Sequence, residues 1–407
     1  MLTTRLVSLR PDAELLVWCA RTVVPDELKV RIRQRVQASL DWTVVLDLAW
    51  YHGVGPLLYR TLSTFCSDLV PTEALTQLCR RTQACGLLNR LLAQELVILC
   101  EGFEERGVPV MPIKGATLAI AAYGDLALRD FNDMDLLVPE DSILEAQDVL
   151  LAMGYERLGC SSDPGKRAQE DGPYYVFSKK QTLFRVDLQY VMTHPQFVFR
   201  LDRPEFWQCR RPVALTNKVV QGLAPEDLLI VLCVHGSKHA WEELKWVCDV
   251  AELLRSHQHL DWDRIFLNAS SWRCRRLVHM GLSLARLLLD APLPEAVLAR
   301  LSTDSDVQTL LPLMPSTLLA DHHAGVKENQ AVALYFSLKD SWLERWKFGL
   351  MLCRDKDPLV TTPPAWFRWR TSLSYLARFV SLFHQPMKRL LPSTIQKAIH
   401  RFVEQSR

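Results

Sequence analysis

The sequence predicts an α+β protein in which a small mixed β-sheet is flanked by helical regions. Three observations support this fold class: helical apolar spacing before Gly107, extended apolar runs between 108 and 190, and helical spacing again from Pro225. A chain of 407 residues is long enough for two or three domains. The regions we expect are a helical N-terminal region (1–106), an α/β core (107–222) and a helical C-terminal region (223–407).

Composition narrows the class of protein. Hydrophobic residues make up 49% and charged residues 23%, as in soluble globular proteins, and the formal net charge of +2 gives no sign of a nucleic-acid-binding patch. The first residues contain no long apolar stretch, and no run of about 18 apolar residues appears in the sequence. We therefore expect no secretory signal, no integral membrane segment and a cytoplasmic location. The eleven cysteines form no Cys-x-x-Cys pair, which favours free thiols in a reducing compartment.

The N-terminal region is predicted to be helical throughout. Leu15, Leu16 and Cys19 recur at helical spacing, and Pro71 opens a later helix. A separate long helix is expected over roughly 83–106, because Arg106-Gly107 is a typical helix end.

The α/β core is predicted from a change of pattern after Gly107. The prolines within Val108–Ile113 indicate an edge strand. The further elements expected are a short helix of small residues (Gly115–Ala122), a strand (Asp135–Val138), a helix from Pro139 to Met153, a polar, mobile loop (159–173), and a hairpin made of Tyr174–Phe177 and Leu183–Tyr190. From Pro225 a helix is expected that extends as far as His257.

The stretch "RDFNDMDLLV" (129–138) places acids directly before an apolar strand. Strand side chains alternate, so Asp133 and Asp135 point to the same side, while Asp130 is assigned to the turn. Paired carboxylates repel unless a cation lies between them, and Mg²⁺ prefers such ligands together with phosphate oxygens. Asp187, on a predicted strand of the same core, supplies a third carboxylate, and three carboxylates can hold two metal ions across a triphosphate. A solvated strand end with no metal is the alternative interpretation.

Lys114-Gly115 precedes this stretch, where a strand end turns into a helix. Gly115 permits a close backbone approach, the helix N-terminus offers free N–H groups to an anion, and Lys114 adds a positive charge. An ordinary helix start remains the alternative.

With these residues in view, "MPIKGATLAIAAYGDLALRDFNDMDLLV" resembles the uncharacterised nucleotidyltransferase family of the polymerase-beta-like superfamily. The resemblance rests on Lys114-Gly115, Tyr123, Arg129 and Asp133-Met134-Asp135, with Asp187 in "FRVDLQY" matching the third acid. It extends to "HGVGPLLYRTL" (52–62) and "VHGSKHAWEELKWVCDVAELL" (234–254), and so covers roughly 10–260. Lys-Gly stands where the wider superfamily has Gly-Gly or Gly-Ser, which leaves the phosphate contact less defined than the metal site.

The resemblance implies a nucleotidyltransferase that moves a nucleoside monophosphate from a nucleoside triphosphate, such as ATP, to an unidentified acceptor, with release of pyrophosphate. Asp133, Asp135 and Asp187 would be the catalytic, metal-binding residues, with Mg²⁺ or Mn²⁺ as the cofactor. Lys114 and Gly115 would contact the nucleotide. Arg129 either contacts the triphosphate or pairs with Asp130 or Asp133. The acceptor is a small molecule, a sugar, RNA or a protein. The alternative is a catalytically inactive nucleotide-binding or accessory protein in surface-glycan or natural-product biosynthesis.

A second group of polar residues follows helical spacing after Val234. Its members are His235, Lys238, His239, Glu242, Lys245 and Asp249. They are expected along one stripe of a helix, either as a solvated, ion-paired face or as the wall of a cleft, in which His235 and His239 bind nucleotide. A zinc site is disfavoured, because no third ligand accompanies the two histidines.

The basic, aromatic segment "PPAWFRWRTSLSYLARF" (363–379) admits several interpretations. A nucleic-acid or membrane-surface contact is one, and a terminal helix with its aromatic residues in the core is the one we favour.

Overall fold

A computed structural model describes residues 9–158, 174–194, 197–319, 334–341 and 343–346 of the chain. The predicted loop at 159–173 and the segment at 363–379 lie outside these ranges. Contacts divide the chain into two compact units, Met1–Leu338 and Lys339–Arg407, and every element described below belongs to the first unit. None of the helices in the described ranges combines the length and apolarity needed to cross a bilayer.

The N-terminal region is helical, as predicted. Its helices are α1 (Pro11–Cys19), α2 (Asp26–Gln37), α3 (Trp42–Tyr51), α4 (Gly55–Phe65) and α5 (Thr72–Glu105). The expectation of two helices after Pro71 was wrong, since α5 is one continuous helix of 34 residues. Gly86 lies inside this helix and does not end it. A Cβ at this position would approach the Cβ of Ala127 to 3.1 Å, so the glycine lets α5 pack closely against the segment that contains Ala127.

A five-stranded mixed sheet follows. Its strands are β1 (Met111–Pro112), β2 (Met134–Leu137), β3 (Tyr155–Arg157), β4 (Tyr174–Lys179) and β5 (Arg185–Gln189), in the order β1-β2-β5-β4-β3. Strands β2 and β5 are parallel, and the other pairs are antiparallel. The predicted hairpin is confirmed by β4 and β5, and β1 is the short edge strand that its prolines indicated.

The elements between the strands include the short helix expected after Lys114. Helix α6 (Ala116–Leu118) continues directly into a π-helical turn, Ala119–Tyr123. The others are α7 (Ile143–Ala152), the hairpin β6 (Val191–His194) and β7 (Phe197–Arg200), α8 (Pro204–Gln208), and the hairpin β8 (Arg211–Leu215) and β9 (Lys218–Gly222).

The described part of the C-terminal region is helical again from Pro225 to Leu318. Its helices are α9 (Pro225–Lys238), α10 (Leu244–Ser256), α11 (Trp262–Ser271), α12 (Arg275–Leu289), α13 (Glu295–Ser302), α14 (Ser305–Leu310) and α15 (Met314–Leu318). The single helix expected from Pro225 to His257 was wrong, because the chain turns after Lys238. Ala240 and Trp241 have positive φ, and the Trp241 N–H donates to the carbonyl of Gly236.

The turn between α9 and α10 is fixed by packing on both sides. Trp241 is fully buried against Gly236, where a Cβ would lie only 2.4 Å from the indole ring. At the start of α10, the Lys245 N–H donates to the His52 carbonyl at 3.0 Å. Gly53 lets this contact form, because a Cβ there would meet the Lys245 side chain at 2.5 Å.

Two apolar clusters hold these elements together. The larger joins the N-terminal helices to the C-terminal helices, and it includes Leu16, Leu58, Leu229 and Val250. The smaller packs α5 and α7 against the sheet, with Phe103, Leu136, Ala146 and Leu188. The α+β fold class is therefore confirmed: a small mixed sheet is flanked by helices.

Candidate active site

The register of β2 and β5 brings two of the three predicted carboxylates together. In this parallel pair Asp135 is the direct partner of Asp187, and the two residues are only 7% and 6% exposed. Asp133 precedes β2 by one residue and is half-buried. Its carboxylate interacts with both of the others, which raise its pKa together with burial. The three acids predicted from the sequence thus form one group.

Lys114 lies against this group. Its Nζ is 3.0 Å from Asp135 Oδ2, and each of the two side chains is less than a tenth exposed. The side-chain amide of Gln189 donates to the other oxygen, Oδ1, of Asp135 at 3.0 Å. Arg185 Nε donates in the same way to Asp187 Oδ1 at 3.0 Å. Both oxygens of Asp135 are therefore engaged by groups of the chain itself.

Gln189 and Arg185 were not predicted from the sequence. Each lies two residues from Asp187 on β5, so the strand period places all three side chains on one face. That spacing was the signal that could have identified them. Gln189 orients Asp135, and Arg185 gives Asp187 a cationic partner.

Asp133 carries the clearest electrostatic perturbation of the three acids. Burial, then the charges of Asp135 and Asp187, raise its pKa to about 6, although Lys114 and Arg129 act in the opposite direction. Like charges this close favour a proton, or another cation, between them. A cation bound beside Asp133 would therefore relieve the repulsion that disfavours its charged carboxylate.

Gly115 holds the strand end and Asp133 in contact. Its φ of +58° and ψ of −123° lie where residues with a Cβ are strained. A Cβ at Gly115 would also lie 3.3 Å from the backbone oxygen of Asp133. Helix α6 starts immediately afterwards, so the turn sets the distance between Lys114 and the acidic group.

The C-terminal end of α9 provides the facing wall. His235 Nδ1 lies 3.4 Å from Lys114 Nζ, and the ring of His239 stacks on Trp246, with centroids 4.9 Å apart. Burial, and then the charge of Lys114, lower the pKa of His235 well below its ordinary value. Lys238, one turn beyond His235, is half-buried. Burial, and then the charge of Lys114, lower the pKa of Lys238, while the charges of Asp135 and Asp187 act in the opposite direction.

Arg129 pairs with neither Asp130 nor Asp133. Its Nε and Nη2 donate to the two oxygens of Asp249, both at 2.8 Å, and both side chains are buried. The Tyr123 hydroxyl donates to the same carboxylate at 2.8 Å. Asp249, which the single-helix hypothesis put on a cleft-facing stripe, is 1% exposed and holds Arg129 instead.

Asp130 has a different environment from its two neighbours. Its carboxylate accepts a weak hydrogen bond from Cys85 Sγ at 3.6 Å. On the same helix, Asn89 donates to the carbonyls of Leu126 and Arg129 at 2.6 and 2.8 Å. Helix α5 therefore fastens the loop that leads into β2, and Asn89 is a supporting residue that the sequence did not indicate.

Carboxylates are the ligands that a hard divalent cation prefers, and Asp135 and Asp187 are direct partners across β2 and β5. Lys114, however, already supplies a positive charge beside Asp135. No three His, Cys, Asp or Glu side chains of the described ranges are arranged so that they could hold a metal ion as they stand. A cation at Asp135 would have to compete with Lys114 for the carboxylate. The rings of His235 and His239 meet edge to face, with centroids 4.8 Å apart. This packing does not direct their nitrogens at one point, as a zinc site would require.

The family assignment rests on a comparison with known protein families. No curated protein matches the chain. A family model described as uncharacterised nucleotidyltransferase matches residues 38–290, which include the sheet, Lys114, the three acids and the turn between α9 and α10. Since the match covers more than half of the chain, this protein belongs to the uncharacterised nucleotidyltransferase family.

Proposed function

We propose that this protein transfers a nucleoside monophosphate from a nucleoside triphosphate to an acceptor hydroxyl or phosphate, with release of pyrophosphate. The observation that carries the proposal is the pairing of Asp135 with Asp187 across β2 and β5, with Asp133 and Lys114 beside them. Membership of a nucleotidyltransferase family supports the same reaction class.

In this reaction an oxygen of the acceptor bonds to the α-phosphorus, and the bond from that phosphorus to the bridging oxygen of the β-phosphate breaks. Asp187 accepts the proton when the acceptor is a hydroxyl, and pyrophosphate leaves with the electron pair of the broken bond. Lys114, the backbone of Gly115, and His235 and His239 on the facing wall hold the phosphates. Arg129 acts indirectly, because Asp249 occupies its guanidinium.

Asp133, Asp135 and Asp187 would hold Mg²⁺ or Mn²⁺ in this proposal. Such an ion would neutralise the phosphate oxygens and the charge that develops on the leaving pyrophosphate. Lys114 would then release Asp135 and turn toward the phosphates, a change for which its flexible four-carbon stem is suited.

A second candidate is nucleotide binding without catalysis, in an accessory role. The ion pair between Lys114 and Asp135 favours it, because a buried ammonium group already satisfies the carboxylate that a metal ion would need. If Lys114 holds Asp135 permanently, the site binds nucleotide with its cationic wall alone.

One experiment separates these two functions. The full-length protein is incubated with each labelled nucleoside triphosphate, Mg²⁺ and a cell extract, and both the labelled product and the released pyrophosphate are measured. We expect label transfer that is lost in the Asp133→Asn, Asp135→Asn double variant. If that variant transferred as well as the wild type, the proposed mechanism would be wrong. Nucleotide binding without any pyrophosphate release would favour the accessory role.

The identity of the labelled molecule gives the class of the acceptor. A small molecule, a sugar, an RNA end or a protein side chain would each give a product of different size and chemistry. Extract treated with ribonuclease or protease before the incubation distinguishes the macromolecular acceptors from the small ones.

A further inference from the structure

The end of α9 concentrates basic side chains where the site already contains Lys114. His235 lies 3.4 Å from Lys114 Nζ, and its ring meets the ring of His239 edge to face. Lys238 follows His235 by three residues, so the two lie on neighbouring positions of the helix surface. Lys114 has its counter-ion in Asp135. Within the described ranges no acidic side chain forms such an ion pair with Lys238.

This arrangement is electrostatically unfavourable as it stands. Burial, and then the charge of Lys114, lower the pKa of Lys238, whereas Asp135 and Asp187 act in the opposite direction. A helix C-terminus favours cations, which accounts for basic residues in the last turn of α9. It does not account for their half-buried position beside Lys114, where like charges repel and water is partly excluded.

A bound anion would remove this repulsion. On α9 itself His235 and Lys238 are three residues apart, about 4.5 Å along the helix axis, and Lys114 adds a third donor beside His235. A single small carboxylate cannot engage donors that are spread so far apart, whereas linked phosphate groups can. Ammonium groups bind phosphate as point charges, through strong charge-assisted hydrogen bonds.

We infer that Lys238, together with His235 and Lys114, forms a polyphosphate-binding site that takes up the phosphate tail of the nucleotide without a metal ion. The inference deepens the proposed function, and it rests on that function only for the identity of the bound nucleotide. Lys238 is the decisive residue, because it is the cation of this wall that Asp135 does not neutralise directly.

The test uses inorganic triphosphate as the probe. Its binding to the full-length protein is measured by calorimetry with EDTA present, for the wild type, Lys238→Ala and a matched control, Lys218→Ala. Lys218 is an exposed lysine whose ion pair is with Glu101, on another part of the surface. We expect Lys238→Ala to weaken binding roughly tenfold or more, as the loss of a charge-assisted hydrogen bond does. Lys218→Ala should bind like the wild type.

Two results would overturn the inference: no triphosphate binding in EDTA, or equal affinity in Lys238→Ala and the wild type. If Lys238→Ala does not fold, Lys238→Met keeps the apolar stem and answers the same question. The Asp133→Asn, Asp135→Asn variant separates this test from that of the proposed function, because it should still bind triphosphate in EDTA. Metal-free binding in a protein without transfer activity would support the inference and contradict the proposed enzyme.

Discussion

Arg129 and Asp249 form a buried, two-pronged ion pair between the loop before β2 and helix α10. Both hydrogen bonds measure 2.8 Å, and the Tyr123 hydroxyl adds a third to the same carboxylate. The pair lies 120 residues apart in the chain. It joins the segment that carries Asp133 and Asp135 to the helix that follows the α9 wall, and so it fixes the two sides of the candidate site relative to each other.

Removal of one partner should therefore destabilise the whole fold. In Asp249→Ala the Arg129 guanidinium stays buried without its counter-ion, and we expect the free energy of unfolding to fall by about 3–5 kcal/mol. Denaturant titration measures the change. The double variant Arg129→Met, Asp249→Leu should lose less unfolding free energy than Asp249→Ala, because it leaves no unpaired charge in the interior.

An exposed ion pair provides the control for this prediction. Glu101→Ala removes the partner of Lys218 on the surface, where water replaces the lost contact. The unfolding free energy should remain almost unchanged. If Glu101→Ala and Asp249→Ala lowered the unfolding free energy equally, burial of the ion pair between Arg129 and Asp249 would contribute nothing to stability.

The local part of this fold was predictable from the sequence, and the long-range part was not. The alternation in "RDFNDMDLLV", the hairpin of β4 and β5 and the edge strand β1 each follow from neighbouring residues. Arg129 could be assigned a partner only among nearby acids, Asp130 and Asp133, because sequence spacing carries no information about a helix 120 residues away.

The turn after Lys238 shows the same limit. Residues 239–243 contain neither glycine nor proline, so helical spacing continues across them in the sequence. The chain leaves the helix because the Trp241 side chain gains a fully buried position against Gly236 and Gly281. That gain depends on α12, which the residues around Lys238 do not reveal. Tertiary packing thus overrides a local preference for helix.

The raised pKa of Asp133 predicts how stability depends on pH when no metal is present. In the unfolded chain its pKa is near 3.8, and in the fold it is about 6. Between these values the folded state holds the proton more tightly, so Asp133 lowers stability as pH rises from about 4 to 6. In EDTA at pH 7.5, Asp133→Asn should be more stable than the wild type by about 1–3 kcal/mol.

The difference between Asp133→Asn and the wild type should shrink toward pH 4, where the wild-type carboxyl also carries its proton. Denaturant titrations at the two pH values measure it. Asp141→Asn, in an exposed position before α7, controls for effects of the substitution itself. A difference that stays the same at both pH values would contradict the prediction.

Gly115→Ala should damage the site through its backbone. Alanine is strained at φ +58° and ψ −123°, and its Cβ would press on the Asp133 oxygen at 3.3 Å. We expect a loss of about 1–3 kcal/mol in unfolding free energy, together with weaker nucleotide binding. Gly124→Ala is the matched control, since Gly124 also has positive φ but open space around it. It should cost about 1 kcal/mol and leave binding intact.

The last prediction concerns the wall formed by the end of α9. In Gly236→Ala the new methyl group would lie 2.4 Å from the Trp241 ring, and this ring is fully buried. Relief of this overpacking should cost the fold about 1–3 kcal/mol and shift the turn together with Lys238 and His239. Triphosphate affinity should then fall, because the basic residues of the wall lose their alignment with Lys114.

Gly102→Ala distinguishes this effect from overpacking in general. Its methyl group would meet the flexible Met153 side chain at 2.7 Å, far along the chain from α9. Met153 can adopt another rotamer, so the cost in stability should be smaller, and triphosphate affinity should be that of the wild type. If Gly236→Ala also bound triphosphate normally, the turn at Trp241 would have no part in aligning Lys238, and the wall would be more tolerant of movement than its packing indicates.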